Sequence, residues 1–136
     1  MNITLPWPPA ILNPNRRAHW AVKAKAAAKY KRDCLVLAQG AGLRALSWDG
    51  MRVTLTFHPP SARRADLDNM LAAAKSGLDG LAIATGVDDS LWEIDPRKGD
   101  PVKGGEVLVQ VEPLAPPDGW QSIGQIAQQM IKGQVR

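Results

Sequence analysis

The residues with the clearest capacity for chemistry are the carboxylates Asp66 and Asp68, set two apart in the run Arg63-Arg64-Ala65-Asp66-Leu67-Asp68-Asn69, and the later pair Asp88-Asp89. Carboxylates forced together raise each other's pKa unless a cation lies between them. A few carboxylate oxygens, with water in the remaining positions, are what Mg²⁺ prefers. Such a site polarises a phosphodiester oxygen, generates hydroxide and stabilises the leaving oxyanion. On an extended backbone Asp66 and Asp68 point to the same side; on a helix they diverge by about 200°. Their place after Pro59-Pro60 and at the mouth of a helix favours the extended arrangement, with Leu67 turned to the core. Two plainer roles stay open: Asp68 as the N-cap of the helix, and Asp88-Asp89 as turn residues. His19 and His58 show no ligand spacing, and no Ser-His-Asp, Cys-His, P-loop or dinucleotide-binding pattern occurs.

The elements that must carry these residues follow from the apolar spacing. Residues 2–7 read as a short strand stopped by Pro8 and Pro9. Over 18–39 a basic amphipathic helix is expected, with Trp20, Ala24, Ala27, Tyr30, Cys34 and Leu37 as its apolar stripe and Gly40-Ala41-Gly42 as its stop. Met51, Val53, Leu55 and Phe57 alternate with Arg52, Thr54 and Thr56, as one strand with one buried face. Leu67, Leu71, Ala74, Leu78 and Leu81 form a second helical stripe, expected to be buried. A strand from about residue 91, a Lys- and Gly-rich linker over 97–105 and a last strand through Val107, Val109 and Val111 complete the set. The order β-α-β-α-β-β argues for a small single α+β domain, a mixed sheet with two main helices on one face. Residues 1–114 form the domain, and 115–136 a C-terminal extension of unknown role in which 120–132 could form a short helix or stay loosely attached.

Charge points to a polyanion. The net charge is only +4, but no acid precedes Asp33, while Arg16, Arg17, Lys23, Lys25, Lys29, Lys31 and Arg32 crowd the first 32 residues. That is a positive field suited to nucleic acid, although a solvated helix face would look similar. No apolar stretch approaches the roughly 20 residues of a membrane span, and the N-terminus has no signal or transit pattern, so a cytoplasmic protein without membrane contact is expected. The lone Cys34 reads as a small buried apolar residue.

At several points in the same order the chain resembles the RusA family of Holliday junction resolvases. The matching features are Leu5-Pro6-Trp7-Pro8-Pro9, the segment Asn13-Pro14-Asn15-Arg16-Arg17, Arg63-Arg64, the central Asp66-Leu67-Asp68-Asn69-Met70, Asp88-Asp89 and Lys103-Gly104-Gly105. Together they span about residues 3–112. The resemblance implies a homodimer with a RusA-like fold that makes paired symmetric nicks in four-way DNA junctions with Mg²⁺ or Mn²⁺. It implies Asp66, Asp68 and Asp89 as catalytic metal ligands, with Asp88 as a substitute for Asp89. A two-fold dimer presents two equivalent sites to a junction that has two equivalent strands to cut. Arg16, Arg17, Lys23, Lys25, Arg63, Arg64, Lys98 and Lys103 are the candidates for phosphate contacts. Trp7 and Trp20 could stack on exposed bases, or serve core or dimer packing. Resolvases of this kind are often carried by prophages, so a bacterial or phage-infected cell is the expected setting.

One position departs from the family pattern. The family commonly has a lysine four residues after the second aspartate of the motif, where this chain has Ala72. Lys75 shares that helical face one turn further on, and helical side chains lean toward the N-terminus, so Lys75 would point back at the acids. If it falls short, a weakly active or non-catalytic branched-DNA-binding protein is the alternative. A phosphohydrolase of small substrates has no need of an extended basic surface.

Overall fold

In the structure, a computed structural model, residues 1–114 are described. Residues 120–132, and the extension as a whole, lie outside the described residues. The strands are β1 (Asn2–Pro6), β2 (Met51–His58), β3 (Trp92–Lys98) and β4 (Glu106–Pro113). They form one sheet in the order β1-β4-β2-β3. β4 lies antiparallel to both β1 and β2, whereas β3 runs parallel to β2 along the edge. A parallel neighbour cannot be reached by a hairpin, and here helices make the crossover between β2 and β3.

Alternation sets the core. Met51, Val53, Leu55 and Phe57 of β2 and Val107, Val109 and Val111 of β4 are buried on one face of the sheet, together with Ile3 and Leu5 of β1. Helix α1 (Trp20–Gly40) and the helices α2 (Leu67–Ala73) and α3 (Lys75–Thr85) supply the rest of that core through Tyr30, Cys34, Ala38, Met70, Leu78, Leu81 and Ala84. Over the described residues the protein is therefore a small α+β domain with a mixed four-stranded sheet and three α-helices. Among the described residues no helix is long and apolar enough to cross a membrane.

Three expectations need correction. The second helix is divided at Ala74, which caps α2 and precedes α3. The bend serves two packing partners: α2 lies by β3, while α3 lies tightly on α1 through glycines. A Cβ on Gly77 would fall 2.5 Å from a ring carbon of Tyr30 and 2.9 Å from Cys34 Sγ, and one on Gly80 would run into the backbone carbonyl of Lys31. Of the expected stripe Ala74, Leu78 and Leu81 are buried, but Leu67 and Leu71 only half-buried.

The face of α1 is also rotated from the expected one. Tyr30, Cys34 and Ala38 are buried, but Ala24 and Leu37 are exposed and Trp20 is 75% exposed. The phase follows the glycine surface of α3, which meets Tyr30 and Cys34, and the first turn of α1 has no such partner. Finally, Arg97 and Lys98 are strand rather than linker, because pairing with Thr56 and Phe57 carries β3 that far.

Candidate metal centre and nucleic-acid interface

The acidic motif sits where the chain turns from loop into helix. Asp66 is the N-cap of α2: its backbone is extended (φ −80°, ψ 125°), and its Oδ1 accepts the Asp68 backbone N–H at 2.9 Å. The cap satisfies one of the donors that every helix start leaves free. Asp68 is thus already helical, and the expectation of two carboxylates converging from an extended backbone is corrected. A helix boundary one residue earlier turns Asp68 away from Asp66, and the capping role that seemed open for Asp68 belongs to Asp66. A carboxylate in the first turn is also favoured by the helix dipole.

Asp68 instead lines a hollow of about 330 Å³ with Leu71, Ala72, Lys75, Leu78, Asp89, Trp92 and Ile94. Its floor is the helix-facing side of the edge strand, since Trp92 lies beside the buried Met51 and Ile94 beside Val53 in the parallel register. Asp89 reaches it from a 3-10 turn (Asp89–Leu91) that leads into β3. The two neighbouring acids have separate tasks. Asp88 caps that turn, its Oδ1 accepting the Ser90 backbone N–H at 2.8 Å. This bond holds the Asp88 carboxyl below the ordinary carboxylate range. Asp89, free of the cap, faces the hollow.

Lys75 joins the pieces. Its Nζ is 3.6 Å from Asp89 Oδ2 and 3.3 Å from Asp79 Oδ1. The hydrogen bond to Asp79 and the Asp79 charge raise the Lys75 pKa, and Asp89 adds to the effect. Asp79 was not anticipated as part of this cluster. Its signal in the sequence, a lysine and an acid four apart, is the commonest way for a helix to carry a solvated ion pair.

Oxygen-only donors on a shared, partly apolar wall fit a hard divalent cation, which commonly takes one or two carboxylates and completes its shell with water and phosphate oxygens. Asp68 and Asp89 would supply that pair. Asp66 does not line the hollow, and among the described residues no three His, Cys, Asp or Glu side chains are gathered as a ready-made metal cage.

The basic candidates divide by location. Arg63 and Arg64 are exposed in the loop before α2, and Lys98, at the end of β3, donates to the Ala65 carbonyl at 3.3 Å. These three flank the acidic motif. Arg16 lines a second hollow on the other side of α2. Arg17 is exposed beside it in sequence, Lys23 and Lys25 are on the first turns of α1, and Lys103 is in the β3–β4 connection; none of these lines the acidic hollow. Trp20 is exposed and tilted against His19, with ring centroids 5.6 Å apart. Trp7 is half-buried and meets Phe57 edge-on.

No family model matches the chain. Among curated proteins, an uncharacterized protein of Xylella fastidiosa (strain Temecula1 / ATCC 700964) is 37% identical over 114 residues, covering 81% of this chain and 74% of the relative.

Proposed function

We propose that this chain, which belongs to the same family as the Xylella fastidiosa protein, is a RusA-like, metal-dependent endodeoxyribonuclease that resolves four-way DNA junctions as a homodimer. The observation that carries the reading is the common hollow of Asp68, Asp89 and Lys75 at the start of α2. The arrangement suits a phosphodiester. Asp68 and Asp89 offer oxygen ligands, Asp66 fixes the helix start that aims Asp68, and the Lys75 ammonium, steadied by Asp79, supplies a positive charge where a phosphate would lie. Bound Mg²⁺ or Mn²⁺ would supply Lewis-acid polarisation of a phosphodiester oxygen there. Arg63, Arg64 and Lys98 give a basic rim on which a strand can be seated without sequence readout.

A two-fold dimer is proposed because it would present two equivalent sites to a junction with two equivalent strands to cut. Location in the cytoplasm of a bacterial or phage-infected cell agrees with a DNA substrate. One observation favours a second reading, a branched-DNA-binding protein that cuts poorly: Ala72 stands exposed at the position of the family's lysine, and Lys75 is shared with Asp79. Cleavage of a synthetic four-way junction with Mg²⁺, beside a duplex of the same sequence and a metal-free control, separates the two. Paired nicks in the junction alone are expected; tight binding without a cut would leave the binding protein.

A further inference from the structure

The acidic hollow uses one side of α2. The opposite side, through Met70 and Ala73, forms the wall of a second hollow of about 350 Å³, closed by Trp7, Pro9, Asn15 and Arg16. From this second hollow we infer a binding site for one unpaired nucleotide of a DNA strand, with the base against Trp7 and the phosphate at Arg16. The inference rests on the proposed function for its choice of DNA, and extends it to how the strand is held.

Four observations support it. Trp7 is fixed in place: its ring meets Phe57 at 90° with centroids 6.2 Å apart, and the backbone of Gly105 lies so close that a Cβ there would be 2.8 Å from Trp7 Cγ. A rigid aromatic wall loses little freedom when a base stacks on it, and stacking of this kind accepts any base. The rim is cationic and uncompensated, since Arg16 takes part in none of the ion pairs among the described residues. Asn13 Oδ1 accepts the Asn15 backbone N–H at 2.9 Å, which holds this rim in a tight turn, and both residues line the hollow. Finally, the size is at the small end of ligand pockets, enough for a single nucleotide and too little for a duplex.

The two hollows are separated by a helix, about 10–12 Å across with its side chains. At about 3.4 Å per stacked nucleotide a strand covers that span in roughly three nucleotides. A base held at Trp7 would therefore fix the cut at a set distance from the point where the strand leaves its partner.

The test is NMR titration of the full chain with an eight-nucleotide single strand and no metal, following the Trp7 indole N–H and the Arg16 Nε–H. Both resonances are expected to shift saturably, and Arg16→Ala and Asn15→Ala, exposed or rim positions that leave the core intact, are expected to weaken the response about fivefold or more. Ala73→Met, which fills the hollow, should abolish the Trp7 shift. The site is overturned if the oligonucleotide leaves both resonances unmoved, whether or not it binds elsewhere. Inorganic phosphate moving them as far as DNA does would overturn the base-binding part. Junction cleavage reads the proposed function separately: a chain that cuts junctions but shows no shift loses this site alone, and one that shifts but never cuts keeps the site and loses the nuclease.

Discussion

The two sides of the α2–α3 segment follow opposite rules. Where α3 crosses α1, Gly77 and Gly80 admit Tyr30, Cys34 and the Lys31 backbone with no space to spare. There any added atom has to displace something. Where α2 faces β3, Asp68, Lys75 and Asp89 stand exposed around a hollow, with an ion pair of 3.6 Å between Lys75 and Asp89. Exposed pairs of this kind contribute little to stability. The crossing therefore maintains the fold, whereas the polar residues around the hollow can change at little structural cost. Substitutions should separate cleanly into those that change melting and those that change cleavage.

The largest expected effect is on the open side. Asp68→Asn should lower metal-dependent junction cleavage by about a hundredfold or more, the rate equivalent of losing several kcal/mol of charge stabilisation. Its junction affinity, read by gel shift, should stay at or above that of the parent, and its melting temperature should fall by no more than the few degrees that about 1 kcal/mol of lost helix-dipole interaction accounts for. A variant that melts earlier still would break the separation, because it would make Asp68 a structural residue.

Next comes the closed side. Gly80→Ala puts a methyl group against the Lys31 carbonyl and should cost about 1–3 kcal/mol, seen as a lower urea midpoint with little change in cleavage per folded molecule. Lys75→Ala should be milder and opposite in kind: a cleavage loss of about tenfold, the scale of one charge-assisted contact, with unchanged melting. Asp79→Asn gives a sharper version, since it leaves the ammonium in place but removes its nearest partner. A cleavage loss for Asp79→Asn that equals that of Lys75→Ala would mean Lys75 acts only when held.

How much of this was legible in the sequence depends on which physical signal each residue carries. Period-two alternation in β2 and β4 survives any partner, so Met51 to Phe57 and Val107 to Val111 could be read directly. The face of α1 could not. After Trp20 and Val22 its first half is alanine and lysine with hardly any hydrophobic contrast, and its phase is set by Gly77 and Gly80, residues that matter through lacking a side chain. In the acidic motif the residue types could be read but not their geometry: Asp68, Lys75 and Asp89 share one hollow, and Asp66 does not line it. Whether Asp66 or Asp68 caps α2 turns on a helix boundary of one residue, and boundaries are what spacing defines least. Asp88 and Asp89 are identical neighbours, separated only by the turn that engages one of them.

The smallest expected effect lies in the closed crossing and shows first in the unsubstituted chain. Burial pushes the Cys34 thiol up to about 11, against a usual value near 9. Burial likewise raises the phenol of Tyr30, whose hydroxyl donates to the Pro6 carbonyl at 2.7 Å. Since only the thiolate reacts, iodoacetamide at pH 8 should leave native Cys34 almost untouched and modify it rapidly in denaturant. The same shifts fix the direction of the pH dependence. Both groups hold their protons more tightly when folded, so their contribution is complete below the unfolded values and is lost as pH rises through the folded ones. Stability should decline from about pH 9 upward, and Cys34→Ala should flatten the first part of that decline. The acidic hollow supplies the control: native Cys34 that reacted as fast as the unfolded thiol would show the crossing to be as open as the hollow.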